Sequence, residues 1–372
     1  MADLNSIVKQ TWQDLHNMPE ASLKEFKTSK YISDRLKAYG YSVEDNIANT
    51  TAVVATLQGS EPGPIVGLRA DMDALLHMVN DKEMPIHSCG HDAHSAMLLT
   101  AAEEVARRGI KKGSLKLLFQ PAEETLQGAK IFCDNGQIDD LEYLIGFHLR
   151  PIHEAPMGKA TPALCHGANR LIEAIVKGVP AHGARTHLGV NVINAVAAIV
   201  NAVNAIKTVP TTPATTKVTR IIADAGAANA IPASAKISLD LRAQSNVVME
   251  ELIEKTKQAI LLGAQTVGAT AEILVCAGCP AAEYHDEVTD LLRQCIVEEL
   301  GVNGLLEPIL SPGSEDFHFF AKHKPALKVG YWGLGVDLEP GLHHPQMHFN
   351  VDGLVSGVNI VLRSVDKLNL IK

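Results

Sequence analysis

Positions 87–94 read His-Ser-Cys-Gly-His-Asp-Ala-His, so His87, Cys89, His91, Asp92 and His94 fall within eight residues. Imidazole, thiolate and carboxylate are the usual ligands of zinc, manganese, cobalt and nickel, and a thiolate can bridge two such ions. One short loop of this composition can therefore supply ligands to a pair of divalent metals. The competing reading is a loop whose histidines have no special role, and the density of ligand types argues against it.

Further candidates lie elsewhere in the chain. Phe119-Gln-Pro-Ala-Glu123-Glu124 sets two adjacent carboxylates just after an apolar run. Neighbouring side chains outside a helix point in different directions, so one carboxylate can bind metal while the other faces the water between the ions. The second could take the proton of that water during attack and return it to a leaving nitrogen. Alone, such a pair is more often a solvated helix start. His148, after Tyr143-Leu-Ile-Gly-Phe147, and His343, in His343-His344-Pro345, are either further ligands or satisfied core side chains. Asp71 and Asp73 join the same set, or one of them caps the next helix. Gly178-Val-Pro-Ala-His182-Gly, Asn229 and Arg242 also stand out. Arginine suits a two-pronged grip on a substrate carboxylate, whereas its ordinary reading is a surface ion pair on a strand.

These residues need elements to hold them. Helical spacing over Leu4–Tyr39, closed by Gly40, predicts an opening helix or two. Thr51–Leu57 and Ile65–Leu68 read as a pair of strands joined by the turn Gly59–Gly63. Residues 95–108 read as helix, Leu115–Phe119 as a buried strand, Glu124–Asn135 as helix and Tyr143–His148 as strand, an alternation that predicts an α/β fold with a mixed or parallel sheet. Ligands of such sheets bind beyond the carboxyl ends of strands, which is where Asp71, Asp73, Glu123, Glu124 and His148 fall. From Ala168 to about Val275 the order becomes strand, helix (190–207), strand, strand, helix (247–267), strand, that of a ferredoxin-like domain inserted into the first.

Composition restricts the function classes. The chain has 372 residues, enough for two domains, with 46% hydrophobic and 20% charged residues, the balance of a globular protein. A net charge of −9 repels phosphate backbones, which excludes nucleic acid as an expected partner and favours a small-molecule substrate. No signal-peptide pattern and no long uncharged apolar run occurs, so a cytoplasmic location away from membranes is the default expectation. Six cysteines in so long a chain do not make a disulfide framework, and Cys276-Ala-Gly-Cys279 lacks the strand-to-helix context of a redox motif.

Taken in order, Leu15-His-Asn-Met-Pro-Glu20, Arg69-Ala-Asp-Met-Asp-Ala74, Cys89-Gly-His-Asp-Ala-His94, Phe119-Gln-Pro-Ala-Glu-Glu124, Ala181-His182, Ala228-Asn-Ala-Ile-Pro232, Ser314-Glu-Asp-Phe317 and Leu342-His-His-Pro345 span nearly the whole chain. This set resembles the aminoacylase and carboxypeptidase superfamily of metallopeptidases. Its Cys-Gly-His-Asp-Ala-His form is similar to the amidohydrolase branch, which holds hippurate hydrolases, N-acetyl-diaminopimelate deacetylases and indole-acetyl amino-acid hydrolases. The resemblance implies a catalytic α/β/α domain with a mixed central sheet, at 1–167 and 277–372, and an inserted ferredoxin-like α+β lid and dimerisation domain at 168–276. It implies two divalent ions per subunit (Zn, Mn, Co or Ni) held by Cys89, His91, Glu124, His148 and His343. Cys89 would be the bridge, and His87, Asp92 and His94 would orient the ligands from behind. Glu123 would be the general base, with Asp73, or failing that Asp71, orienting a ligand. Lid His182 would stabilise the oxyanion, Asn229 and Arg242 would contact substrate, and the protein would be a homodimer through the inserted domain.

The chain departs from that pattern where Leu76 stands in place of the usual proline after Asp-Ala-Leu, in a short loop from there to His87, and at Thr186, where relatives often have proline. The expected reaction is hydrolysis of the amide in an N-acyl amino acid. Carboxypeptidase or dipeptidase action on unblocked peptides is the alternative, and a non-catalytic binding protein of the same fold the remote one.

Overall fold

The computed structural model describes residues 3–368 and 370, which form two compact units. The first draws on Met1–Cys165, Glu283–Leu310 and Glu315–Lys372, and the second is His166–Ala282 with Ser311–Ser314.

A seven-stranded mixed sheet organises the first unit, in the order Ser42–Asp45, Val53–Gln58, Lys112–Gln120, Glu61–Asp71, Tyr143–Pro151, Lys328–Leu338 and Ala160–Thr161. The four strands from Lys112–Gln120 to Lys328–Leu338 are parallel, Val53–Gln58 and Ala160–Thr161 run antiparallel to them on either side, and the edge strand Ser42–Asp45 is antiparallel to Val53–Gln58. Side-chain alternation gives the parallel strands two apolar faces. Leu68, Ala70, Leu117, Phe119, Ile145, Phe147, Trp332 and Leu334 pack on one face with Val8, Leu15, Met97, Leu98, Val288, Leu292, Val358 and Val361 from four helices, Leu4–His16, His91–Arg108, Asp286–Leu300 and Leu354–Lys367. On the other face Val54, Leu118, Leu144 and Tyr331 pack with Phe132 of the helix Gly128–Asp134 and with Phe317 and Phe320. The result is an α/β/α sandwich.

Three local outcomes differ from the sequence expectation. Val53–Gln58 and Glu61–Asp71 are not neighbours, because Lys112–Gln120 lies between them and pairs with both. The turn joining them instead wraps over Gly113, at φ 64°, whose carbonyl accepts the Gly59 N–H at 2.8 Å. A Cβ on Gly113 would lie 1.9 Å from the Pro64 carbonyl oxygen, so only glycine fits there. The third helix begins at His91, after Gly90 at φ 89°, which draws His91, Asp92 and His94 into its first turn. The fourth begins only at Gly128, because Ala122 and Leu126 both take positive φ (55°) and keep Glu123 and Glu124 in a non-helical loop.

The second unit follows the expected β-α-β-β-α-β order: Ala168–Lys177, Val192–Asn204, Ala214–Ile222, Ser234–Ala243, Asn246–Gln265 and Thr270–Ala277. Its antiparallel sheet is ordered Ala214–Ile222, Ser234–Ala243, Ala168–Lys177, Thr270–Ala277, the ferredoxin-like arrangement. Ile172, Ala174, Val176, Ile237 and Leu239 form one face under Val196, Ile199, Leu252 and Ile260 of the two helices. Asn191 and Ser245 cap those helices by accepting the N–H groups of Ile193 and Val248.

Candidate metal and catalytic site

The candidate residues of the first unit gather at the carboxyl ends of its parallel strands. Asp71 ends one strand and Asp73 follows it, Glu123 and Glu124 follow Gln120, His148 lies near the end of Tyr143–Pro151, and His343 follows Leu338. Residues separated by hundreds of positions meet because those strands are neighbours in register.

Cys89 is at the centre. Its Sγ lies 3.5 Å from His148 Nε2 and 3.4 Å from His343 Nε2. His343 Nε2 is 3.4 Å from Glu124 Oε2, and Glu124 Oε1 is 3.8 Å from His91 Nε2. Two sets of ligand atoms, Cys89–His91–His148 and Cys89–Glu124–His343, each lie within 4.8 Å of one another and share the thiol. His91 Nε2 and Glu124 Oε1 are buried and have no hydrogen-bond partner among the described residues. Each such orphan costs about 1–3 kcal/mol in a protein interior. A divalent cation in each set would satisfy one of them, and the imidazole, thiolate and carboxylate donors suit zinc or a neighbouring transition metal.

The surrounding bonds aim the free atoms. His91 Nδ1 lies 3.1 Å from Asp73 Oδ1, and His148 Nδ1 lies 2.6 Å from the Leu149 carbonyl. With the hydrogen on Nδ1 in each ring, each Nε2 keeps its lone pair for a ligand role. His94 is used differently: Nδ1 meets Asp71 Oδ1 at 2.6 Å while Nε2 accepts the Leu149 N–H at 2.9 Å, so it braces the residue after His148. His343, at φ 64°, donates its N–H to the Ser88 carbonyl at 2.7 Å. Neither Asp71 nor Asp73 caps a helix. The next element is the hairpin Leu75–Val79/Lys82–Ile86, and Gly90 occupies the following N-cap. Asp92 accepts from His16 at 2.7 Å, and His87 is buried beside them.

Glu123 borders the ligand atoms, with a carboxylate oxygen within 4.8 Å of atoms of His91 and Glu124. Its carboxylate is buried and accepts the Asp316 N–H at 3.3 Å. Burial, reinforced by the Glu315 and Asp316 carboxylates, holds it well above the usual carboxylate range. Burial also raises Glu124 to about 7, and burial with Glu124 nearby raises the Cys89 thiol. For His91 burial works downward, but Asp71, Cys89 and Asp73 outweigh it and carry the imidazole well above its usual value.

Arg69, Glu315 and Asp316 lie inside the sequence motifs, where residue type and spacing assign them no role. Arg69 is fully buried and reaches Asp71 at 2.7 Å, Glu315 and Asp316 at 3.0 Å each, and Gln120 at 2.9 Å. It thereby ties the carboxylate that holds His94 to the segment that holds Glu123. A long polar side chain at position 69, inside an otherwise apolar run, was the available signal.

The other candidates belong to the second unit. His182 is exposed in the short strand Ala181–His182, which pairs with Ala230–Ile231 and so lies beside Asn229. Its Nδ1 accepts the Ala184 N–H at 3.1 Å. Arg242 lies on Ser234–Ala243, with Nε bonded to Asp240 at 3.0 Å, and lines a cavity of about 180 Å³ with Pro213, Gln244 and Pro312.

A paired set of metal-ligand atoms beside a buried, proton-retaining carboxyl, on the carboxyl edge of an α/β sheet, has the make-up of a hydrolytic centre. The chain belongs to peptidase family M20/M25/M40, whose family model matches residues 67–367, and it is a hydrolase. It is 29% identical over 346 residues to thermostable carboxypeptidase 1 of Saccharolobus solfataricus, covering 90% of this chain and 86% of that protein. It is 31% identical over 364 residues to hippurate hydrolase of Campylobacter jejuni, covering 94% and 93%. The crystal structure of the Bacillus subtilis YXEP protein, described as a dinuclear metal binding peptidase, matches with a TM-score of 0.83 at 23% identity, covering 99% of each chain.

Proposed function

We propose that the protein hydrolyses the amide bond of N-acyl amino acids, with Glu123 as general base. The observation that carries this reading is the pair of buried atoms His91 Nε2 and Glu124 Oε1, without a hydrogen-bond partner among the described residues, beside the buried carboxyl of Glu123. Cys89, His91, Glu124, His148 and His343 would hold two divalent ions, Zn, Mn, Co or Ni, with Cys89 shared. When bound, the ions would supply Lewis-acid polarisation of the scissile carbonyl and acidify water. Glu123, ionised by the positive charge that the bound ions would add beside it, takes the proton of the attacking water and hands it to the leaving nitrogen. Asp73 orients His91, and Asp71 does the same for His94.

The remaining roles fall to the second unit, which we assign as a lid and dimerisation domain at 168–276, the catalytic domain being 1–167 and 277–372. His182, with Nδ1 accepting a backbone N–H, presents Nε2–H as a donor to an oxyanion. Asn229, beside it, and Arg242 would contact the substrate carbonyl and carboxylate. The edge strand Ala214–Ile222, with Ile221 and Ile222 half exposed, supports pairing of two copies through this unit. Among the described residues no helix is long and apolar enough to cross a membrane, and a cytoplasmic small-molecule enzyme fits the charge.

The likeness to a carboxypeptidase favours one second reading, cleavage of unblocked peptides. Protein reconstituted with each metal and assayed against N-acetyl, N-benzoyl and longer N-acyl amino acids and free dipeptides separates the two. Preferential release from N-acyl amino acids is expected. Preference for dipeptides would transfer the assignment to the second reading, and no release with two metals bound would remove both.

A further inference from the structure

We propose that Glu25, at the start of the second helix and outside the ligand set, is a positioning residue for Glu123, acting through the backbone of Ala122. The inference rests on the reading of Glu123 as general base.

Glu25 is completely buried. Its Oε1 accepts two backbone N–H groups, from Leu23 and Ala122, each at 3.0 Å, and its Oε2 accepts the Thr51 hydroxyl at 2.5 Å. Ala122 is 97 positions away and immediately precedes Glu123. It is also a non-glycine residue at φ 55°, a left-handed conformation that costs about 1–2 kcal/mol and persists only where the surroundings impose it. Three hydrogen bonds impose it. Glu25 holds the Ala122 N–H, while the Ala122 carbonyl accepts from Gln127 at 3.1 Å and Gly128 at 3.2 Å.

That conformation turns the chain so that the next two N–H groups, of Glu123 and Glu124, both reach Asp73 at 3.2 Å. Glu123 is therefore fixed by three anchors: Asp73 on its own N–H, the Asp316 N–H on its carboxylate, and Glu25 on the residue before it. Withdrawal of the third lets Ala122 relax toward negative φ and swings the base. Reach, and not charge, is what the position requires. A glutamine at position 25 can offer its amide oxygen to both N–H groups and its NH2 to the Thr51 oxygen, whereas an aspartate keeps the charge but falls short by about 1.5 Å, one C–C bond.

The test compares E25Q, E25D and E123Q with wild type, all reconstituted with metal, by kcat, KM and metal content on one N-acyl amino acid. E25D is expected to lose about 10–100-fold in kcat, with KM and two-metal content retained, because misplacement of a catalytic group by about 1 Å is worth that much. E25Q is expected within about threefold of wild type. Wild-type kcat in E25D, an equal loss in E25Q, or loss of metal from E25D would each overturn the positioning role. E123Q separates the two layers. Full turnover there would remove the general-base reading itself, whereas an inactive E123Q beside an unimpaired E25D would remove only the role of Glu25.

Discussion

Asp73 Oδ1 lies 3.1 Å from His91 Nδ1 and also accepts the backbone N–H of Glu123 at 3.2 Å, so one carboxylate oxygen sets both an imidazole of the candidate ligand set and the residue assigned as base. Its other oxygen accepts from Ser22 at 2.6 Å and Glu124 at 3.2 Å. Although burial opposes ionisation, these donors, His91 foremost, keep Asp73 below the usual carboxylate range, and so charged. Asp73→Asn replaces one acceptor by an NH2 group that cannot serve its donors. Metal affinity should fall about 10–100-fold, the usual effect of removing a partner behind a ligand. Chelator competition measures this, and an unchanged affinity would separate Asp73 from the site.

Cys89 is common to both candidate ligand sets, so its loss should affect both ions, whereas His148 belongs to one. Cys89→Ala is expected to bind neither metal stoichiometrically, and His148→Ala to retain one. Elemental analysis after dialysis reads the difference directly. Two tightly held metals in Cys89→Ala would contradict a shared thiolate.

Glu124 at about 7, a raised Cys89 and a raised His91 mean that near neutral pH the metal-free ligand set carries protons that a cation must displace. The sign follows. Below about pH 7 Glu124 is protonated and competes with metal, and above it that proton is gone while Cys89 still releases one. Apparent affinity should therefore rise with pH between 6 and 8, about tenfold per unit for each proton released. Calorimetry in buffers of different ionisation enthalpy measures the proton count, and release of none would refute the ligand assignment.

Arg69 compensates three buried carboxylates, of Asp71, Glu315 and Asp316. Arg69→Met keeps an apolar stem but leaves those charges without their cation, and removal of one partner from a buried ionic cluster typically costs about 3–5 kcal/mol. Urea denaturation of the metal-free proteins should show a loss of that size. A midpoint equal to wild type would mean that the cluster is not held by charge.

What could be read in advance was local. The 87–94 cluster is contiguous, and Glu123, Glu124 and His148 each follow an apolar strand, so type and position pointed to them. The Arg69 cluster was hidden because two of its three carboxylates lie 246 and 247 positions away, and ion pairing leaves no periodic trace in sequence. The neighbour of Val53–Gln58 was misjudged for the same reason, since strand pairing is decided by tertiary burial and not by proximity along the chain. Helix starts at His91 and Gly128 depend on left-handed residues, Gly90 in one case and Ala122 and Leu126 in the other. Alanine and leucine give no warning of that conformation.

The central claim is that Glu123 moves the proton while other residues hold the metals, and one measurement on Glu123→Gln tests it: turnover of an N-acyl amino acid together with metal content in the same sample. Two metals per chain with turnover reduced by about 10²–10⁴-fold is the expected result. Two metals with wild-type turnover would contradict it.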